Sequence, residues 1–229
     1  MFNNKTFLAI VPARGGSKRL PRKNILDLAG KPLLVWSIEA GLMSQYIDKV
    51  VVSSDDYEIL TIAKHFNADT IQRPSVLASD TATSFDVIKH TLEQFGSYEY
   101  VVLLQPTSPL REAKHIDEAI AFLNEKGADA VISVCEMDHS PLWSNTLPKD
   151  ASLVGFLNEA VLNKRSQDLE SYYRLNGAIY VCKIERLLEE KNFFLKDSIY
   201  AYVMDRESSI DIDEAIDFKI AQIIKEESR

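Results

Sequence analysis

Short apolar runs alternate with amphipathic stretches of helical period over most of the 229 residues. The apolar runs consist largely of Val, Ile and Leu, which is typical of strands buried on both faces of a parallel sheet. The intervening stretches are long enough for crossover helices, and right-handed crossovers bring every strand-to-helix loop to one edge of the sheet. The pattern therefore predicts an α/β fold, a Rossmann-like three-layer sandwich with a mostly parallel central sheet.

The predicted strands are Phe7–Val11, Lys49–Ser53, Tyr100–Leu104, Ala130–Val134, Gly177–Cys182 and Ile199–Met204. The predicted helices are Pro32–Met43, Tyr57–Phe66, Thr83–Phe95, His115–Lys126, a segment near Ile184–Glu190, and a last helix from Asp213 to about Lys225. Residues 135–175 break this rhythm, and a long irregular segment in a compact domain usually serves function or forms an interface. We expect one domain over residues 1–229, with an irregular insertion at about 135–175.

Composition excludes several classes of protein. The net charge of −8 argues against bulk nucleic-acid binding, because no broad basic face can be drawn. The sequence has no apolar run near the roughly 20 residues that a membrane span needs, and residues 1–5 do not resemble a signal peptide. The two cysteines, Cys135 and Cys182, fit no metal or redox spacing. We expect a cytoplasmic protein with buried thiols and with neither nucleic acid nor membrane as partner.

A cation-rich loop follows the first predicted strand. Six of the first 26 residues are basic, and the sequence from Ala13 to Asn24 also contains the pair Gly15-Gly16. Backbone N–H groups and cations at the carboxyl end of a strand hold phosphates in open α/β sheets. The loop is not a Walker A sequence, and a solvated basic face with an ordinary turn is the competing interpretation. The loops after Val11, Val52 and Leu104 are expected to share one crevice.

The second chemical feature is Ser209-Ile210-Asp211-Ile212-Asp213. In an extended segment alternate residues share a side, so the two carboxylates face one way and the isoleucines face the core. Two neighbouring carboxylates repel unless a cation lies between them, and their hard oxygens favour Mg²⁺. The alternative is that Asp213 caps the last helix while Asp211 is exposed.

Three polar loops complete the set of candidates. Residues 105–111 (QPTSPLR) follow a strand and suit a sugar or a base, although a plain turn has the same pattern. Residues 77–84 precede a helix and either read a nucleobase edge or cap that helix through Thr83 or Ser84. Asn176, before the strand at Gly177, either contacts a ligand hydroxyl or closes a turn.

Taken in order, these segments resemble the acylneuraminate cytidylyltransferases, also called CMP-sialic acid synthetases. The matching segments are Ile10–Asn24, Ala29–Pro32, Arg73-Pro74, Leu77–Thr81, Leu104–Arg111, Arg174–Tyr180 and Ser209–Asp213. The related 3-deoxy-manno-octulosonate cytidylyltransferases share an opening of this kind. They are not expected to carry the segments at 104–111 and 176–180, which favours the branch that uses nine-carbon sugars.

The resemblance implies an enzyme of surface polysaccharide biosynthesis that couples CTP to a sialic-type α-keto sugar acid and releases pyrophosphate. It implies in-line attack of the anomeric hydroxyl on the α-phosphate, with Mg²⁺ as cofactor. It also implies a homodimer in which the insertion reaches into the partner's active site. Legionaminate and pseudaminate share the same α-keto acid group and stay open as sugars.

The resemblance also assigns roles to individual residues. The implied catalytic residues are Lys23, Arg14 and Asp211, and the implied metal ligands are Asp211 and Asp213. The implied nucleotide-binding residues are Arg14, Gly15, Ser17, Lys18, Lys23, Asn24, Arg73, Ala78, Ser79 and Thr81. The implied sugar-binding residues are Gln105, Arg165, Gln167, Asn176, Tyr180, Phe193 and Phe194, with Arg165 meeting the sugar carboxylate across the dimer interface.

Two other functions are compatible with parts of the sequence. One is a nucleotide-sugar glycosyltransferase whose Asp-x-Asp is residues 211–213, although that motif normally comes earlier in such chains. The other is a non-catalytic nucleotide-binding relative, against which the joint presence of Lys23, Asp211 and Asp213 argues.

Overall fold

The computed structural model describes residues 2–79, 81–96 and 98–227. Nine strands and six α-helices are assigned within these ranges. The strands are β1 (Phe7–Pro12), β2 (Asp27–Leu28), β3 (Lys31–Pro32), β4 (Lys49–Ser54), β5 (Asp69–Gln72), β6 (Tyr100–Leu103), β7 (Ala130–Glu136), β8 (Tyr173–Lys183) and β9 (Ile199–Met204). The helices are α1 (Leu33–Met43), α2 (Tyr57–His65), α3 (Ser84–Phe95), α4 (Ala113–Lys126), α5 (Ile184–Glu190) and α6 (Ala215–Glu227).

Seven strands form the central sheet in the order β5-β4-β1-β6-β8-β7-β9. Every pairing in it is parallel except those of β8, which runs antiparallel to both β6 and β7. The predicted, mostly parallel α/β sheet is therefore confirmed. The short strands β2 and β3 form a separate antiparallel pair.

The side chains of β1 show why the sheet is covered on both faces. Phe7, Ala9 and Val11 point into one core with α1, α2 and α4, whereas Leu8 and Ile10 point into a second core with α3 and α5. All five are fully buried. Alternation in a strand buried on both faces thus produces the three predicted layers.

A third, smaller core lies beside the sheet and fixes the segment before α6. Ile212, Leu28, Leu33, Leu110 and Ala221 form it, with the half-buried Trp36 against them. The ammonium groups of Lys31 and Lys225 each lie 4.3 Å from the centroid of the Trp36 ring. This core joins α6 to α1.

The predicted irregular segment is shorter than expected, because β7 continues to Glu136 and β8 begins at Tyr173. Between them the chain forms only three short 3-10 helices, Pro141–Trp143, Glu159–Val161 and Ser166–Asp168. We call residues 137–172 the insertion. Both cysteines are buried free thiols, as expected. None of the helices in the described ranges has the length and apolar character that crossing a bilayer requires.

Candidate active site

The loop after β1 is held in place by the N-terminal end of α2. The Gly15 N–H donates to Asp55 Oδ1 at 3.1 Å. Asp56 caps α2 by accepting from the Glu58 and Ile59 N–H groups. Its other oxygen accepts from Arg22 Nη1 at 2.9 Å, and Arg22 Nη2 donates to Glu58. Arg22 therefore binds the loop to α2 instead of facing a ligand.

Gly15 is required by the close approach of Asp56. A Cβ added at Gly15 would lie 2.7 Å from Asp56 Oδ2 and 2.9 Å from Asp56 Cβ, whereas one at Gly16 would meet no described atom within 4 Å. Of the two adjacent glycines, only Gly15 is therefore required to lack a side chain.

Lys23 and Asn24 lie in a 3-10 helix, Lys23–Ile25, that follows the loop. Asn24 is buried and its Nδ2 donates to the Arg14 carbonyl at 2.9 Å. The Lys23 ammonium donates to the Ile212 carbonyl at 2.5 Å and lies 3.7 Å from Asp213 Oδ1. The cationic loop and the carboxylate segment, about 190 residues apart in sequence, therefore meet at Lys23.

The two carboxylates have different environments. Ile212 between them is buried, and its N–H donates to the Thr107 carbonyl at 2.8 Å. Asp213 is 58% exposed, whereas Asp211 is half-buried, and among the described residues nothing donates to its buried Oδ1. Burial, with the charge of Asp213 adding to it, raises the pKa of Asp211, although a hydrogen bond from Thr107 opposes the shift.

The alternative of helix capping by Asp213 is wrong. The side chain of Asp217, in the first turn of α6, accepts the Asp213 and Glu214 N–H groups at 3.0 and 2.7 Å, and among the described residues no N–H group of α6 donates to the Asp213 carboxylate. The Asp213 carboxylate instead pairs with Arg19 at 2.9 Å. Asp211 is not exposed either.

A divalent cation fits this pair of carboxylates. The buried, unpartnered Oδ1 of Asp211 is an acceptor whose desolvation a cation would offset. No cluster of three or more His, Cys, Asp or Glu side chains suited to a metal occurs within the described ranges. A metal here would thus have two protein carboxylates and take its other ligands from water or phosphate, a pattern that suits Mg²⁺.

Arg73 lines the same cleft as Arg14 and Lys23. It is 5% exposed, and burial, together with the nearby charge of Arg14, lowers its pKa while Asp55 opposes the shift. Its Nη1 donates to the Leu77 carbonyl at 3.3 Å, and Arg14 Nη1 donates to the Ser79 carbonyl at 3.5 Å. The contact of Arg14 joins the loop after β1 to residues 77–83.

Residues 75–83 serve the fold as well as the site. The Thr83 hydroxyl caps α3 in a capping box with Asp86, as one interpretation of the sequence expected. The Ser79 and Thr81 hydroxyls lie 3.1 Å apart. Asp80, within the predicted nucleobase loop, lies outside the described residues.

Residues 105–111 are rigid because Arg111 is buried beneath them. Arg111 donates to the Ser37 hydroxyl at 2.7 Å and to the Ala178 and Gln105 carbonyls, each at 3.3 Å. No carboxylate among the described residues pairs with it, and burial lowers its pKa to about 9. Arg111 received no predicted role from the sequence; the available signal was an arginine at the end of a loop that two prolines fix.

A cleft of about 600 Å³ opens between these loops. The predicted site residues that line it are Arg14, Ser17, Lys18, Lys23, Asn24, Arg73, Ser79, Gln105 and Asp213. Among the residues predicted to bind the nucleotide or the metal, those that do not line it are Gly15, Ala78, Thr81 and Asp211. The loops after β1 and β6 share the crevice as expected, while the loop after β4 supports it through Asp55 and Asp56.

Asn176 has a different position from the predicted sugar contact. It is 1% exposed, and its Oδ1 accepts from Ser133 Oγ at 2.6 Å and from the Ala178 N–H at 3.2 Å. Its Nδ2 donates to Ser209 Oγ at 2.9 Å and to Met204 Sδ. Every hydrogen-bonding position of the amide is used inside the protein, so Asn176 fixes β8 against the segment that carries Asp211.

Gly177 brings β8 close to both sides of the site. Its φ is +73°, and a Cβ there would lie 3.0 Å from Gln105 Oε1 and 3.8 Å from Asp211 Cγ. Farther along β8, Tyr180 packs on the buried Phe193 with ring centroids 5.5 Å apart. Burial, with the charge of Asp211 adding to it, raises the Tyr180 pKa.

The other predicted sugar-binding residues lie on the surface. Phe194 is 51% exposed. Arg165 and Gln167 are exposed in the insertion, where Arg165 pairs with Asp168 at 3.0 Å. Within one chain, the structure does not bring these three residues to the cleft.

Known proteins resemble this chain over nearly its whole length. A sequence model described as Cytidylyltransferase matches residues 8–226. An N-acylneuraminate cytidylyltransferase of Escherichia coli is 40% identical over 220 residues, which cover 96% of this chain and 52% of that protein. The chain thus spans about half the length of that relative. A CMP-N,N'-diacetyllegionaminic acid synthase of Legionella pneumophila is 34% identical, with 96% of each chain covered.

The fold also resembles that of a solved structure. A CMP:2-keto-3-deoxy-manno-octonic acid synthetase, complexed with CTP, has a TM-score of 0.75 over 98% of this chain and 100% of that one. The identity is 14%, so this likeness concerns the fold.

Proposed function

We propose a function from one established premise: this chain belongs to the cytidylyltransferase family. It transfers the cytidylyl group of CTP to the anomeric hydroxyl of a sialic-type, nine-carbon α-keto sugar acid. The attacking oxygen forms a bond to the α-phosphorus, the bond from that phosphorus to the bridging oxygen breaks, and pyrophosphate leaves while the hydroxyl proton is lost. The observation that carries the proposal is the meeting of Lys23 with the Asp211–Asp213 segment at one end of a cation-lined cleft.

The cations of the cleft bind and orient the triphosphate. Arg14, Lys18 and Lys23 line the cleft together with Arg73, whose pKa is lowered first by burial and further by the charge of the nearby Arg14. Cations held that close to one another favour a polyanion between them. Lys23 is nearest to the carboxylates, and we assign it the charge that develops at the α-phosphate, since a fixed donor is most effective where charge increases.

Asp211 and Asp213 would hold Mg²⁺ through their carboxylate oxygens. When bound, the ion supplies Lewis-acid polarisation of the phosphates and a lower pKa for a coordinated hydroxyl or water. The chain's part is to fix the two carboxylates. The contact between Ile212 and Thr107 and the third core hold this segment in place.

Residues 77–83 and Arg73 would bind the cytosine ring. Arg73 is held by the Leu77 carbonyl, and Arg14 by the Ser79 carbonyl, so base and phosphate recognition are joined. The hydrogen bond from Arg14 links the loop proposed to bind the phosphates to the loop proposed to bind the base, which supports binding of one nucleotide across both.

The sugar acid would lie toward β8. Gln105 lines the cleft next to Gly177, and Tyr180 with Phe193 forms an apolar surface close to Asp211. We propose N-acetylneuraminate as the substrate, because the N-acylneuraminate cytidylyltransferase of E. coli has the higher identity of the two relatives. N,N'-diacetyllegionaminate is the second candidate, since the Legionella relative matches along its full length.

The insertion would complete the site of a second copy in a homodimer. Arg165 is 74% exposed, and the insertion also exposes the apolar side chains Leu147, Leu153 and Val154. Exposed apolar groups grouped with an arginine are typical of an interface. Arg165 in one protomer would then reach the sugar carboxylate in the other.

Pyrophosphate release tests the proposal. The purified chain is incubated with CTP, Mg²⁺ and N-acetylneuraminate, legionaminate or pseudaminate in separate reactions, with ATP replacing CTP as the control. We expect pyrophosphate with CTP and at least one acid, fastest with N-acetylneuraminate. No release with any nine-carbon keto acid would overturn the proposal, and faster release with legionaminate would overturn the choice of sugar.

A further inference from the structure

Arg19 lines the cleft and holds one of the two carboxylates assigned above to the metal. Its Nη1 lies 2.9 Å from Asp213 Oδ2. The Lys23 ammonium lies 3.7 Å from the other oxygen, Oδ1. Each oxygen of Asp213 therefore faces a protein cation.

The other arginine of this part of the loop has separate partners. Arg22 pairs with Asp56 and Glu58 of α2. Lys23 is anchored by the Ile212 carbonyl and is 12% exposed. Arg19 differs because its side chain is 65% exposed and long enough to change its partner.

A divalent cation and a guanidinium that contact the same carboxylate oxygen repel each other, so the binding of one weakens the binding of the other. A cation that binds Asp213 Oδ2 therefore weakens the ion pair between Asp213 and Arg19. Arg19 lines the same cleft as Arg14 and Lys18, so a guanidinium released from Asp213 would stay beside the cleft. Phosphate oxygens in the cleft would give it a new partner with two parallel hydrogen bonds.

We propose that Arg19 competes with a bare divalent cation for Asp213 and changes to the phosphates when the cation arrives together with the nucleotide. The inference rests on the proposed function, which supplies the carboxylate-bound metal and the triphosphate. It assigns Arg19 a role in selecting the metal–nucleotide complex over either component alone.

The structure supplies a matched control in Arg206. This arginine also pairs with an exposed aspartate, Asp138, and the side chains are 61% and 56% exposed, against 65% and 58% for Arg19 and Asp213. Arg206 does not line the cleft. Arg19→Ala and Arg206→Ala remove the same charge and the same kind of ion pair.

The test measures binding to the free protein, with Mn²⁺ as the metal probe followed by electron paramagnetic resonance, and CTP binding in the presence of Mg²⁺ by calorimetry. We expect Arg19→Ala to bind bare Mn²⁺ about two- to tenfold more tightly than wild type, the range for an exposed pair plus the lost repulsion. We expect it to bind CTP with Mg²⁺ about tenfold more weakly, because a charge-assisted contact is gone. Arg206→Ala should change neither value.

Opposite shifts in the two affinities are the decisive result. If Arg19→Ala changes Mn²⁺ binding no more than Arg206→Ala does, or if it tightens CTP binding as well, the inference is overturned. Arg19→Lys, which keeps the charge but not the paired hydrogen bonds, should give values between wild type and Arg19→Ala. Because Mn²⁺ binding needs no sugar, this result stands apart from pyrophosphate release: a failed Arg19 effect with normal pyrophosphate release refutes only the inference.

Discussion

Replacing Gly15 with alanine should destabilise the loop after β1 and lower the free energy of unfolding, whereas the same change at Gly16 should not. A Cβ at residue 15 would lie 2.7 Å from Asp56 Oδ2 and 2.9 Å from Asp56 Cβ. Contacts of that length force either the loop or the aspartate to move. At residue 16 the new methyl group meets no described atom within 4 Å.

The magnitude follows from what holds Asp56. If the aspartate rotates away, α2 loses its cap, which costs about 1 kcal/mol, and the exposed pair with Arg22 is lost, which costs about 0.2–1 kcal/mol. If the loop moves instead, overpacking costs about 1–3 kcal/mol. Both routes give a loss of about 1–3 kcal/mol in the free energy of unfolding.

Urea denaturation and thermal melting of the two variants provide the assay. For a chain of 229 residues, the loss corresponds to a fall in melting temperature of about 2–12 °C for Gly15→Ala. The effect of alanine on the unfolded chain is common to both variants and cancels in their difference. The affinity for CTP should also fall in Gly15→Ala, because the movement displaces the loop that carries Arg14. Equal stability of the two variants, within about 0.5 kcal/mol, would refute the reasoning.

Three further substitutions test other parts of the site. Lys23→Ala should lower turnover about 10²–10³-fold, while loss of the bond from its ammonium to the Ile212 carbonyl lowers the free energy of unfolding by about 1.5–3 kcal/mol; near-normal turnover in a steady-state assay would remove its assigned role. Burial raises the pKa of Asp211, so its ionised form destabilises the folded state above that pKa, and this penalty disappears as pH falls through the raised pKa toward the ordinary value. Asp211→Asn should therefore be at least as stable as wild type at about pH 8 and should lose this advantage toward about pH 4. Mg²⁺ should not raise the melting temperature of this variant; a rise equal to that of wild type would exclude Asp211 as a ligand. Gly177→Ala should weaken sugar-acid binding and destabilise the protein more than Gly127→Ala, because both residues have positive φ but only the first new Cβ meets Gln105, at 3.0 Å; equal destabilisation, measured by urea denaturation, would contradict that contact.

The sheet could be predicted wherever a strand is buried on both faces. Residues 7–11 are continuously apolar because two cores need them, and this pattern is visible in the sequence. The strand Asp69–Gln72 was missed, since it lies at the sheet edge and only Ile71 is buried. The start of β8 was missed for a similar reason: Tyr173 and Leu175 are exposed there, so the apolar signal begins only at Ala178.

The site could be predicted where its residues are close in sequence. The cationic loop and the carboxylate pair were recognised as units, and the structure brings them together. The support from Asp55 and Asp56 was missed, because no sequence pattern joins residues 40 positions apart across two strands. Asn176 was predicted either to contact a ligand hydroxyl or to close a turn. Its amide instead bonds to the Ser133 and Ser209 hydroxyls inside the protein, and no sequence pattern distinguishes that use from a sugar contact.

Two anchors that do not depend on each other hold the two halves of the site. The loop with Gly15 is fixed on the N-terminus of α2 by Asp56 and Arg22. The segment with Asp211 is fixed by Ile212 in the third core, and through that core by α6. Lys23 contacts both halves, since it follows the loop and donates to the Ile212 carbonyl. A change in either anchor should therefore displace Lys23 relative to the carboxylates and reduce turnover even when the substituted residue lies outside the cleft.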